Sequence, residues 1–145
     1  MADITKISAY IYTADVANAD TDATVYLCIG GREFNLDTDS DDFEVGAQYT
    51  YVLGEGANVK NAAYNDPRKP QLDTDDLDRY PVYIRFVSAG TDPAWYLERA
   101  IVTVNPDSAT PHRFDNPRMV GTGENHRIWL WKEGGEKLYL KRYDG

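Results

Sequence analysis

The chain has 145 residues, 42% apolar and 27% charged, which is the make-up of one soluble domain that can bury a core without metal or disulfide help. A formal charge of −9 argues against a nucleic-acid backbone and against unaided binding to an anionic membrane, because both call for clustered Lys and Arg. The lone cysteine excludes an intrachain disulfide, and no apolar run approaches the roughly 20 residues of a membrane-spanning helix.

In chain order, the opening MADITKISAY lacks a basic-then-apolar signal pattern, so the default expectation is a cytoplasmic protein, or a chain whose signal has been removed. ITKISAYIYT (4–13) puts Ile7, Ala9 and Ile11 on one face, and ATVYLCIGG (23–31) does the same with Val25, Leu27 and Ile29. Cys28 lies inside that apolar run and reads as core rather than nucleophile. REFNL (32–36) is a short partner strand reached through Gly30-Gly31. QYTYVL (48–53) has Tyr49 and Tyr51 in step, and PVYIRFV (81–87) groups Val82, Ile84 and Phe86. WYLERAIVTV (95–104), HRIWLWK (126–132) and EKLYLKRY (136–143) complete the set, the last two read as a hairpin through Glu133, Gly134 and Gly135. Period-two alternation over short segments separated by turn residues predicts about eight strands in one antiparallel β-sandwich spanning 1–145. The connection at 54–80 is long enough to be functional or mobile, with room for a short helix. Residues 105–125 read as a loop over one end.

The carboxylates are unevenly spread. DTDSDDFE (37–44) holds four aspartates and a glutamate, and the triplet DTD recurs at 20–22 and 73–75. DTDSDDFEVGAQ fails as an EF-hand loop: Asp42 stands where glycine is required, Gln48 replaces the bidentate glutamate, and the flanks are strands. Acids on several loops are the better source of a site. Asp20 and Asp22 precede the strand at 23, Asp41, Asp42 and Glu44 follow the second strand pair, and Asp92 precedes the strand at 95. If these loops converge, they form the oxygen-rich pocket that calcium prefers. The alternative is an acidic rim that keeps the chain soluble.

Three segments resemble a known family. ADTDATVYLCIGG, DSDDFEVGAQYTYVL and PVYIRFVSAGTDPAWYLERAIVTV are similar, in order and mostly in spacing, to the signature segments of PLAT (lipoxygenase-homology) domains. The resemblance covers roughly residues 5–104. It implies an eight-stranded sandwich of two four-stranded sheets, and a non-catalytic module that binds calcium and docks on lipid surfaces or protein partners. Carried over, the metal ligands are Thr21, Asp22, Asp41, Asp42, Glu44 and Asp92, to which the acidic run itself adds Asp20, and Trp95 is the family tryptophan, packed between the sheets. Departures are plain. Asp20 replaces the family glycine. Val16, Ala17, Asn18 and Ser88, Ala89, Gly90 stand where membrane-docking members carry aromatics, which weakens the lipid reading. The 54–80 loop is long for the family, and the tail from about 105 does not follow the pattern, although Trp129 and Trp131 can supply a closing strand.

Nothing marks an enzyme. His112 and His126 lie near no nucleophile motif, GxSxG and HExxH are absent, and GTGENH (121–126) follows no strand-then-helix pattern. The acids are too dense to hold one protonated and one ionised carboxyl at a defined separation, as glycoside hydrolysis needs. The expectation is therefore a calcium-binding interaction module. Its rival is a metal-free interaction sandwich that uses the aromatic segments around WLWK and YLKRY. For that aromatic pair the plainer expectation is that one of Trp129 and Trp131 faces the core. The basic set Arg127, Lys132, Lys137, Lys141 and Arg142 is read as balancing charge and guarding a sheet edge.

Overall fold

Alternation in the sequence becomes alternation in burial. In the computed structural model, which describes residues 2–15, 17–21, 23–38, 42–87, 94–116, 128–131 and 136–143, the first strand β1 (Lys6–Thr13) buries every second residue from Ile7 to Thr13. It is followed by β2 (Thr24–Ile29), β3 (Arg32–Asn35), β4 (Gln48–Gly54), a one-turn helix α1 (Asp76–Arg79) and β5 (Tyr83–Val87). Then come β6 (Trp95–Val104), β7 (His112–Asp115), β8 (Ile128–Leu130), β9 (Lys137–Tyr139) and β10 (Lys141–Arg142). They form two antiparallel sheets, one ordered β10-β7-β6-β1-β4 with β8 also on β6, the other β3-β2-β5-β9. Ile7, Ile11, Leu53, Trp95, Leu97 and Val102 of the larger sheet meet Leu27, Ile29, Phe34, Ile84 and Phe86 of the smaller one in a single core. Each such side chain taken out of water contributes about 1.5–3 kcal/mol.

The β2–β3 connection is the two-residue hairpin expected from the sequence. Gly30 and Gly31 both have positive φ, and a Cβ on Gly30 would sit 2.9 Å from a methyl of Leu72. Glycine is required there for backbone and for space.

The two lateral openings of the sandwich are closed by different means. On one side lie the edge strands β4 and β3, and the long 54–80 connection covers both. It buries Val59, Leu72 and Leu77 in the core, and Ile4 donates its N–H to the Leu72 carbonyl. Asn65 accepts a hydrogen bond from the Asn35 N–H of β3 at 2.8 Å, and Asn58 does the same for Val52 of β4. The short helix expected in this stretch is α1. On the other side, residues 137–142 run from one sheet to the other: β9 pairs with β5, Leu140 donates to the Val82 carbonyl, and β10 then pairs with β7.

Four expectations need correction. The 126–143 hairpin does not form, because β8 pairs with β6 while β9 joins the opposite sheet. Pairing of β9 with β5 closes the side of the sandwich and buries Leu138. The 105–125 stretch is not all loop, since β7 lies in it and pairs with β6. Neither Trp129 nor Trp131 faces the core: they are 44% and 45% exposed, and Leu130 between them is buried. Among the described residues the sheets hold six and four strands rather than four each, since β8 and β10 add short segments to the larger one. The fold class stands: an all-β antiparallel sandwich. Cys28 is buried as expected, and burial pushes its thiol up to about 11.

Candidate metal-binding loops at one end of the sandwich

The site begins where β1 runs out. A bulge at Tyr12–Thr13 ends regular pairing, and the chain enters the first acidic loop. The Thr13 N–H donates to the Ala47 carbonyl at 3.0 Å, and the Gly46 N–H returns a bond to Ala14 at 3.2 Å. The Thr21 N–H donates to the Phe43 carbonyl at 3.2 Å. The Ala14 N–H donates to the Tyr96 carbonyl, and the Tyr96 N–H to the Ala19 carbonyl, each at 3.0 Å. Five backbone bonds thus lace segments 13–21, 43–47 and the start of β6 together, although more than 70 residues separate the first from the last. Val87, opposite Thr24, is at this same end.

Beneath the loops lies an aromatic floor. Trp95 is fully buried as expected, and its Nε1 donates to the Thr13 hydroxyl at 2.9 Å. Phe43 meets Trp95 edge-on at 5.1 Å between centroids and stacks on Tyr51 at 5.6 Å. Phe43 has a φ of +64°, a left-handed conformation that costs a bulky L-residue about 1–2 kcal/mol. Its ring is held in the core while its carbonyl serves Thr21, so packing and the hydrogen bond together hold it there.

Of the seven ligands expected from sequence, Asp20, Thr21, Asp42 and Glu44 fall among the described residues. Asp22, Asp41 and Asp92 lie outside them. The described residues nearest those three in the chain (Thr21 and Ala23, Asp42, and Ala94) all belong to this end of the fold. Asp20 is half-buried. Thr21 is buried, and its hydroxyl accepts from the Ala23 N–H at 3.1 Å, which ties up one of its two lone pairs. Asp42 accepts from the Thr38 N–H at 2.9 Å, the Thr38 hydroxyl at 2.7 Å and the Tyr51 hydroxyl at 2.9 Å. At least three of its roughly four lone-pair sites are therefore engaged. Burial, followed by the charge of Asp42, raises the Tyr51 phenol far above its ordinary value, so it stays a donor.

Sequence reasoning passed over Asp37. Burial, then a hydrogen bond and repulsion from Asp42, hold its carboxyl above the ordinary carboxylate range, with Lys60 only partly offsetting them. The signal was present, as Asp37 opens the same acidic run. Asp15 was also missed, and its carboxylate packs against Gly46. The third DTD, at 73–75, serves otherwise. At the opposite end of β1, Asp73 accepts from the Asp75 N–H and Thr74 bonds to Ala2, setting up the start of α1.

Among the described residues, no three Asp, Glu, His or Cys side chains are close enough to hold a metal ion. The described residues of this end carry carboxylates and backbone carbonyls, the oxygen types calcium takes, and the charge of Asp42 is among the causes that raise Asp37.

No family model matches the chain, and no curated protein matches it. Solved structures do. The alpha toxin of Clostridium absonum superposes with a TM-score of 0.62 at 24% identity, covering 97% of this chain and 32% of the toxin. Coral 8R-lipoxygenase, described as activated by calcium through a C2-like domain, gives 0.60 at 19%, covering 94% of this chain and 17% of the enzyme. Clostridium perfringens alpha-toxin from an avian strain gives 0.58 at 21%, covering 95% and 31%. The likeness is one of fold, and the fold is the PLAT-like sandwich. The chain spans a third or less of each of these proteins.

Proposed function

We propose that this chain is a non-catalytic binding module that takes calcium at its acidic end and there engages a protein partner or a lipid-headgroup surface. The observation that carries the reading is the lacing of the 13–21 and 43–47 segments to the start of β6, with acids on or beside each segment. Asp20, Asp22, Asp41, Glu44 and Asp92 supply carboxylates, and Thr21 supplies a carbonyl. Asp42, with most of its lone pairs engaged, gives at most one oxygen and chiefly ties Thr38 to Tyr51. Calcium, when bound, adds positive charge that Lys60 supplies only in part. The loops then lose their mutual repulsion and order as one surface. The calcium activation described for coral lipoxygenase is consistent with such a role.

A metal-free interaction module is the second reading. It is favoured by the exposed Trp129, which stacks flat on Tyr96 at 4.3 Å between centroids beside these loops.

The test is a thermal melt in chelator and in millimolar calcium. Calcium at 100 times its Kd stabilises by about 2.7 kcal/mol. Spread over an unfolding entropy of about 0.3 kcal/mol per degree for this length, that raises the midpoint by about 9 °C. No shift removes the metal and leaves the second reading. The pair Asp22→Asn and Asp42→Asn abolishes the calcium shift if the ligands are as named.

A further inference from the structure

Among the described residues, Trp129 and Trp131 are the largest apolar side chains that the fold leaves exposed, and both lie at the acidic end. β8 sets Ile128 opposite Leu97 and Leu130 opposite Trp95, so it runs toward the end where β6 begins. Trp131 lies one residue further on, past the start of β6. Leu130 is buried, so its two neighbours along the strand face outward. Trp129 stacks on Tyr96 with the ring planes only 3° apart. Tyr96 is the residue whose N–H and carbonyl are bonded to Ala19 and Ala14 of the first acidic segment. Trp129 therefore stands on a residue that this segment holds from its other flank. Neither indole N–H has a hydrogen-bond partner among the described residues, and Trp131 makes no ring contact among them. Val45, in the 43–47 segment of the same end, is also exposed.

We propose that Trp129 and Trp131 are interfacial anchors, and that this end docks on a zwitterionic phospholipid surface. The inference rests on the calcium reading above and commits its partner to a lipid surface. An indole is an apolar body with one N–H donor, and that mixture settles in the interfacial layer of a bilayer, where the ring leaves water and the N–H still finds an oxygen. The acids beside the two rings act against this, because they repel lipid phosphates. Calcium held by those acids reverses the sign, since its coordination shell takes further oxygens and phosphate supplies them. Neither half suffices alone: the indoles are kept off the surface until the charge is bridged. A phospholipid layer offers both chemistries side by side, phosphates for the metal and an interfacial zone for the rings. With a chain charge of −9, a zwitterionic surface opposes docking less than an anionic one. The lack of aromatics at 16–18 and 88–90 is thereby made good from β8.

The test mixes the whole chain with phosphatidylcholine vesicles in millimolar calcium and in chelator, and reads co-sedimentation and tryptophan emission. Trp95 is already buried, so a change in emission reports Trp129 and Trp131. The wild-type chain is expected to partition in calcium and not in chelator, with its emission moving to shorter wavelength. Taking about half an indole out of water is worth about tenfold in partition coefficient, and Trp131→Ala is expected to lose that factor. Trp131 packs on no described ring, so this variant keeps its fold; Trp129→Ala gives a second, independent loss of similar size. Both variants keep the calcium shift of the melting midpoint, which reads the metal apart from the lipid. A chain whose melt responds to calcium but which stays off the vesicles overturns the inference and leaves the calcium reading standing. So does partitioning that neither substitution weakens. A melt that calcium does not move, with partitioning equal in calcium and chelator, overturns the calcium reading and the bridge proposed here with it.

Discussion

Tyr51→Phe isolates one bond at the acidic end. Tyr51 is 1% exposed, and its hydroxyl donates to Asp42 Oδ1 at 2.9 Å. The phenylalanine ring keeps the stacking on Phe43 and the edge contact with Tyr49. What disappears is a buried hydrogen bond to a carboxylate, worth about 1.5–3 kcal/mol. Thr38 still supplies two donors, so Asp42 is not orphaned, and the loss belongs in the lower half of that range. Taking about 1.5–2 kcal/mol and an unfolding entropy of about 0.3 kcal/mol per degree, the midpoint falls by about 5–7 °C. Calorimetry in chelator keeps metal out of the comparison. Tyr49→Phe is the control: its hydroxyl is at a rim, 3.4 Å from Asn58, and its loss moves the midpoint by about 1 °C or less. A Tyr51→Phe melt within about a degree of wild type, or an equal fall in Tyr49→Phe, would refute the claim that Asp42 is anchored from below.

Two further outcomes follow from Asp37, which is half-buried, and Asn65, which is buried. Asp37 has its carboxyl raised in the folded state, so the folded chain binds this proton more tightly than the unfolded chain does; the resulting stability is present below the ordinary carboxylate value of 3.8 and is lost as pH rises through the raised one. Asp37→Asn should therefore raise the midpoint at pH 7 by a few degrees, for a gain of about 1 kcal/mol, and change little near pH 3, as melts at both values in chelator will show; equal gains at both contradict the reading. Asn65→Ala removes the acceptor for the half-buried Asn35 N–H and one donor to the Asn61 carbonyl, which keeps the Tyr64 N–H; the expected loss is about 1–1.5 kcal/mol, or about 3–5 °C by calorimetry.

Much of the fold was legible because a strand announces its buried face locally. Ile7, Ala9 and Ile11, or Val82, Ile84 and Phe86, alternate with polar neighbours, and two such faces can only meet as layers. Gly30-Gly31 announced its hairpin because positive φ twice in succession belongs to glycine. The candidate site was legible as composition: the acids of two runs lie on loops that do come together, while the third DTD turned out to start a helix at the other end. Asp37 was missed because its importance lies in its distance from Asp42, which residue order does not express.

What residue order alone determined, then, is which segments are strands, which face of each is buried, and that carboxylates crowd particular loops. Tertiary structure alone decided which strands are neighbours. Alternation specifies a face and not a partner, so 126–143 read equally well as a hairpin and as two strands in different sheets; closing the open side of the sandwich selected the second. The same closure left Trp129 and Trp131 outside and Leu130 inside, because once β8 lies on β6 its register, Trp95 opposite Leu130, assigns each side chain its face.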